Sequence, residues 1–218
     1  MIITISREFG SGGRELGKRL SDELQIPYYD KEIIAMIAQN HGVDENYVAQ
    51  MAEKKVMASY PLTIGNRFQS SRVSYAAQQA IRIHAEQQKI IESLGKQGDC
   101  IIVGRCADVI LKDFRPFNMF VYAGKEAKLR RCLSRSPETE RLSTQELARK
   151  IRAIDKARAG HRALFTDTKW GAKENYHLCV NTTGVEIKSM IPALAAYIRT
   201  WFSETTGRSC AFPERNPE

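Results

Sequence analysis

Short uninterrupted apolar runs alternate along this chain with longer segments whose apolar positions recur every three or four residues. The runs are Ile2-Ile3-Thr4-Ile5, Cys100-Ile101-Ile102-Val103, Phe117-Asn118-Met119-Phe120-Val121-Tyr122 and Tyr176-His177-Leu178-Cys179-Val180-Asn181. They are rich in β-branched and aromatic residues and lack polar alternation, the pattern of strands buried on both faces. Ile26-Pro27-Tyr28-Tyr29-Asp30 predicts a shorter extended piece, because proline restricts its predecessor. Helical spacing is carried from Arg14 by Leu16, Leu20 and Leu24, from Lys31 to about Asn40 behind a capping Asp30, and from Glu45 to Lys54 behind Asp44. It continues from Tyr75 to Lys96 through Ala76, Ala80, Ile83, Ile90, Ile91 and Leu94. Another helix holds Lys128, Arg130, Arg131 and Arg135 and breaks at Ser136-Pro137. The next restarts at Leu142-Ser143-Thr144 and runs through Leu147, Ile151 and Ile154, and Ile187 to Phe202 closes the chain. Strands that alternate with helices predict an α/β fold, a parallel sheet covered on both faces. No repeat or composition break divides it, so residues 1–203 are expected to form one domain, with 204–218 as a polar tail. Residues 56–74, with Pro61, Gly65, Arg67 and Arg72, read as a mobile loop.

The first strand passes through Ser6-Arg7-Glu8-Phe9 into Gly10-Ser11-Gly12-Gly13 and then a helix beginning at Arg14-Glu15. Strand, glycine turn and helix start is a geometry that binds phosphate. Glycines let backbone N–H groups converge, and a helix N-terminus adds orphan donors and partial positive charge. The P-loop pattern is a version of this frame that ends in Gly-Lys-Ser/Thr. Here Gly13 falls where the lysine belongs and Arg14 where the magnesium-binding hydroxyl belongs. Arg14, or Arg7 and Lys18, are the cations available instead. The competing reading is a tight turn with glycines for packing alone.

Composition is that of a globular protein, 43% hydrophobic, and no apolar run reaches membrane-spanning length. The opening is strand-like, not a charged-then-apolar leader. Five cysteines without a Cys-x-x-Cys pair read as reduced cytosolic thiols and suggest a cytoplasmic protein. The net charge of +8 is concentrated: residues 125–173 hold fourteen Lys/Arg against six Asp/Glu, and the remainder is neutral. A basic segment in a neutral protein points to a polyanion, either a small phosphorylated ligand or nucleic acid. Within it Arg152, Asp155 and Arg158 are three apart, so an acid can hold two guanidinium planes toward a phosphate, or the three form an ordinary ion-pair ladder. Arg105, just past a central strand, is placed by topology beside the glycine loop. His84 reads as structural, since no second ligand stands at metal-binding spacing.

Several of these segments together resemble the cytidylate kinase-like family, relatives of the nucleoside monophosphate kinases. The opening Ile3 to Gly13, Tyr28-Tyr29-Asp30, Gly104-Arg105, the strand and arginine-bearing helix from Phe120 to Arg131, Asp155-Lys156-Ala157-Arg158 and Leu178-Cys179-Val180-Asn181-Thr182-Thr183 carry the likeness. The resemblance implies a three-layer P-loop kinase-like fold with an arginine-rich helical lid, formed by residues 125–173. It implies ATP and Mg²⁺ as cofactors and transfer of the γ-phosphoryl to a nucleoside monophosphate, CMP or dCMP. On this reading Gly10, Ser11, Gly12, Gly13, Arg14 and Glu15 hold the donor phosphates, and Arg131, Arg152 and Arg158 close over them. Asp155 orients Arg158, while Asp30, Arg105 and Arg67 face the acceptor. Magnesium is held by phosphates and water, with Asp30 and Asp108 as candidate ligands. The chain departs from the kinases at Gly13-Arg14, at Cys106 in place of an aspartate, and at Asn181 in place of another. Those departures support a second reading, a nucleotide- or phosphate-binding protein with impaired catalysis. A nucleic-acid binder is a third, opposed by the absence of interleaved aromatics in the basic segment. No membrane partner is expected, and the Tyr75–Lys96 helix offers a surface for a homodimer.

Overall fold

The apolar run at residues 2–5 lies at the centre of the sheet. In the computed structural model, which describes residues 1–42, 44–46, 48, 75–135 and 142–205, it forms β1 (Ile2–Arg7). Around it stand β2 (Tyr28–Tyr29), β3 (Cys100–Val103), β4 (Phe117–Tyr122) and β5 (Leu178–Asn181). The order is β2-β3-β1-β4-β5, and every pairing is parallel. The helices are α1 (Gly13–Leu24), α2 (Glu32–His41), α3 (Tyr75–Gln97), α4 (Ala107–Ile110), α5 (Lys125–Arg135), α6 (Thr144–Arg162) and α7 (Ile187–Thr205).

Alternate residues of the central strands feed two cores. Ile3, Ile5, Ile101, Val103, Phe117, Met119 and Val121 pack against Leu16 and Leu20 of α1 and against Ile187, Ile191, Ala195 and Ile198 of α7. Ile2, Cys100 and Ile102 pack on the opposite face against Ile33 and Ile37 of α2, Ile83, Ile91 and Leu94 of α3, and Leu111. This is why the strands read as continuous apolar runs: neither face meets water. Helix α1 lies close on the sheet because Gly17 has no side chain; a Cβ there would stand 3.1 Å from Ile5, Tyr28 and Val103.

The structure moves some expected features. Asp30 does not cap α2. The capping position is Lys31, without a side-chain cap bond, and the Asp30 carboxylate turns to Arg7 and Arg14 instead. Strand β5 begins at Leu178, two residues later than its sequence suggests. His177 still joins the neighbouring strand through its N–H to Asn118 O, 2.8 Å, and its ring Nδ1 accepts the Asn118 N–H. Helix α7 continues to Thr205, past Phe202 and into the expected tail. Ser143 and Glu146 form a reciprocal capping box at the head of α6, where the sequence restarts a helix. Asp44 accepts the Asn46 N–H as a cap does, 2.8 Å. The rest of that expected helix, the 56–74 loop with Arg67 and Arg72, the Ser136-Pro137 break and residues 206–218 lie outside the described residues. Cys100, Cys106, Cys132 and Cys179 are free thiols. Among the described residues no helix is long and apolar enough to cross a membrane.

Candidate functional site

Strands β1 and β3 are neighbours, but the helices that follow them pack on opposite faces. Helix α1 joins the core of Ile3 and Ile5, whereas Ala107 of α4 joins that of Ile2 and Ile102. Connections that diverge in this way leave a crevice beyond the strand ends, where α/β proteins bind ligands. A cavity of about 320 Å³ opens there. Its floor is Ser6 and Arg7 at the end of β1 and Gly104, Arg105 and Cys106 at the end of β3. Arg14 of α1 borders it, and the inner face of α6, with Arg158, His161 and Arg162, forms the roof. Five arginines thus line one small space.

Beside the cavity lies the glycine loop. Gly10 and Gly12 have φ of 76° and 84°, the left-handed region that favours glycine. Gly12 is the N-cap of α1, and the first helical N–H to bond back to it is that of Leu16, 2.9 Å, which leaves the first-turn donors outside the helical ladder. Side chains are also excluded from outside. A Cβ on Gly10 would come 2.8 Å from Cys132 Sγ, and one on Gly12 would meet Ile187. These features fit a phosphate cradle. Arg131 donates to Gly10 O, 2.8 Å, and to Thr182 O, 3.2 Å, and Thr182 Oγ1 donates to Ser11 O, 2.7 Å. Arg131 therefore ties the loop to the end of β5 and does not reach across it as a lid residue. Its pKa is lowered, by burial first and then by Arg135.

Helix α6 docks onto the loop through Asp155. Its carboxylate accepts the Phe9 N–H, 2.7 Å, and pairs with Lys128, 3.4 Å, which also reaches Glu8, 3.0 Å. Burial raises the Asp155 pKa. Arg158 stands 3.7 Å from Asp155, donates to Arg7 O, 3.0 Å, and lies over the Phe9 ring. The expected Asp155–Arg158 partnership is present, but the stronger hold on Asp155 is the loop N–H. Arg152 is exposed and does not line the cavity, so the expected three-residue cluster is a pair.

Within the cavity Arg162 is buried and paired with Asp108, and its Nη2 donates to Thr168 Oγ1, 3.0 Å. Cys106 Sγ lies 3.2 Å from His161 Nδ1. Burial first, and then Asp108, pushes the thiol up to about 12; burial, His84 and Arg105 push His161 down to about 4. The pair is a neutral thiol beside a neutral imidazole and is unsuited to nucleophilic attack. His84 packs on His161 with ring centroids 5.1 Å apart.

The His161 shift has a measurable consequence. The unfolded chain takes up this proton near its ordinary pKa of 6.5 and the folded chain only near 4. Between those values the unfolded state binds more protons, so stability falls as pH falls. His161→Phe, which keeps a ring there, is expected to flatten the fall in melting temperature between pH 6.5 and 4; an unchanged slope would reject this origin.

The remaining predicted residues divide. Arg105 lines the cavity floor with a positive φ of 58°, and Gly13 lies against the Arg7 side chain. Arg14 holds Asp30 at 2.5 Å. Ser11 spends its hydroxyl on Glu8 O, 2.8 Å. Glu15 pairs with Arg19 and Arg135, and Lys18 pairs with Asp22 on an exposed surface. The donor set does not fit a protein-held magnesium. Asp30 is taken by two arginines and Asp108 by Arg162. Among the described residues no three His, Cys, Asp or Glu groups converge on one point. Sequence reading did not single out Lys128 with Glu8, the Asp108–Arg162 pair or His161. Each is a contact between segments far apart in the chain; Asp108 was named only as a magnesium candidate and Lys128 only as one of the basic residues of its helix.

A parallel sheet between two helical layers, with a glycine loop at the end of its central strand and an arginine-lined roof, is the fold of the P-loop kinases. The chain matches the cytidylate kinase-like family over residues 2–184. It belongs to that family. A crystal structure of an uncharacterized protein from Eubacterium ventriosum superposes with a TM-score of 0.66 at 23% identity, covering 92% of this chain and 99% of that one. Shikimate kinase from Bacteroides thetaiotaomicron superposes with a TM-score of 0.55 at 14% identity, covering 91% and 98%. Shikimate kinase from Acinetobacter baumannii, in complex with shikimate, gives 0.50 at 13%, covering 91% and 93%. No curated protein sequence matches the chain.

Proposed function

We propose that the protein is a phosphotransferase that moves the γ-phosphoryl group of ATP to a small phosphate-bearing acceptor, with CMP or dCMP as the first candidates. The observation that carries this reading is the five-arginine cavity adjoining the glycine loop. Phosphoryl transfer needs positioning and charge neutralisation more than covalent chemistry from the protein. Residues 10–13 would hold the donor phosphates, Arg158 would face the transferring group from the roof, and Arg105 and Arg14 would neutralise the acceptor. Arg131 would keep the loop in shape. Many basic residues of the lid are engaged within the chain, including Lys128, Arg131, Arg135 and Arg162, which disfavours nucleic acid as the partner.

Binding without turnover is the second reading. It is favoured by the Asp155 carboxylate on the Phe9 N–H, a negative group seated on the loop itself, and by the engagement of Asp30 and Asp108, the two candidate magnesium ligands, with arginines. The experiment is an ADP-formation screen with ATP and Mg²⁺ against the common nucleoside monophosphates. Shikimate, the molecule named with one structural neighbour, serves as comparison. ADP formation that depends on one acceptor is the expected result and names the substrate. No ADP with any acceptor, while ATP still raises the melting temperature, would establish the binding-only reading.

A further inference from the structure

The side chain of Arg7 fills the space that a side chain at Gly13 would take. Arg7 ends β1, six residues before Gly13. Its stem lies against Gly13: a Cβ on that glycine would stand 2.6 Å from Arg7 Cβ and 3.0 Å from Cγ. Its guanidinium lies against Gly104, at the end of β3, where a Cβ would overlap Nη1. Two glycines from segments ninety residues apart therefore form a slot with one occupant. Gly104 has a φ of 78°, which favours glycine on its own account. The φ of Gly13 is not in that region, so the side chain of Arg7 accounts for the glycine there.

The guanidinium is under-compensated. Its Nη2 meets Asp30 Oδ1 at 3.3 Å, while Arg14 holds the other oxygen of the same carboxylate at 2.5 Å. Arg7 Nε is buried with no hydrogen-bond partner among the described residues. The side chain is 12% exposed and lines the cavity. Burial first, and then Arg158, lowers its pKa to about 9, as a cation short of counter-charge requires. A buried charged donor without a partner is costly unless a ligand completes it.

We propose that Arg7 takes over the task of the missing P-loop lysine: its guanidinium, held between Gly13 and Gly104 and steadied by Asp30, is the fixed cation that binds a phosphate group where the glycine loop meets the cavity. The assignment rests on the phosphate-binding part of the function proposed above. It selects Arg7 over Lys18, which points to solvent with Asp22, and over Arg14, whose side chain is 53% exposed at the rim. A planar fork also selects for ligand. It favours two oxygens of one phosphate, where a lysine presents a point charge.

The test titrates inorganic tripolyphosphate into the full-length protein by calorimetry. Arg7→Met is expected to weaken binding by about tenfold or more, the scale of a lost charged hydrogen bond. Gly13→Ala changes no charge but displaces the Arg7 stem, and it should weaken binding likewise. Arg7→Lys should recover only part of the affinity, and Lys18→Met should bind as the wild type does. Should Arg7→Met fail to fold, Gly13→Ala and Arg7→Lys carry the comparison. Wild-type affinity in Arg7→Met or Gly13→Ala, or no binding by the wild type, would overturn the assignment. A parallel transfer assay separates the two claims. Arg7-dependent binding without transfer to any acceptor keeps the assignment and removes the phosphotransferase. Transfer with binding that ignores Arg7 does the reverse.

Discussion

Asp108→Asn is expected to lower the melting temperature by roughly 10 °C, the largest stability loss of any single polar substitution in the site. Arg162 is 4% exposed and its charge is met by Asp108. Among the described residues its guanidinium also meets the Thr168 hydroxyl and the face of Tyr176, 5.7 Å to the ring centroid, neither of which carries charge. Burial alone would lower the Arg162 pKa; Asp108 more than offsets it and the pKa is raised. Removing the carboxylate leaves a largely buried guanidinium without its counter-charge, and breaking a buried pair from one side costs about 3–5 kcal/mol. Replacing both partners, Asp108→Leu with Arg162→Met, is expected to cost clearly less than Asp108→Asn, because no charge remains to desolvate. Thermal unfolding of the two variants side by side checks this. A double variant as unstable as the single one would show that the pair is not the cause.

Arg158→Ala is expected to reduce kcat/KM of the proposed transfer by about 10²–10³-fold, the range for losing a group aimed at developing charge. Its effect on the melting temperature should be small. The Arg158 side chain is 24% exposed and reaches from α6 to the backbone of Arg7 while bordering the cavity, so it touches the end of β1 and the cavity together. Asp155 keeps Lys128 and the Phe9 N–H after the change, so helix α6 stays docked. Steady-state kinetics with the acceptor that the screen identifies, run beside thermal unfolding, give the result. A rate loss under fivefold, or a collapse of the fold with the rate, would assign Arg158 to structure.

Part of the candidate site is legible in the sequence. Gly10 and Gly12 announce a turn because few other residues adopt their backbone conformation. Topology places Arg105 beside the loop, and helical spacing brings Asp155 and Arg158 together. Arg152 failed the same spacing argument for a simple reason. Six residues from Arg158 is about 120° around a helix, so the two share a face only loosely. Helix α6 turns Leu147 and Ile151 to a small core with Leu129 and its Arg158 face to the cavity, which leaves Arg152 in water. Asp30 looked like a helix cap because that role is local. Two arginines nearby claimed its carboxylate, since a charge pair with little water around it outweighs one neutral N–H bond.

The alternation of strands and helices, the two-sided sheet, the glycine loop and the basic segment 125–173 can be read from the chain alone. Each is written in short-range patterns of apolar spacing, backbone freedom and charge. Which cations face the cavity, that Arg131 ties the loop, that Asp155 rests on Phe9, and that Arg7 occupies the slot between Gly13 and Gly104 emerge from the packed fold. Those depend on distances between segments far apart in the chain, and a side chain's partner there is set by how two helical layers pack on the sheet, which no local pattern encodes.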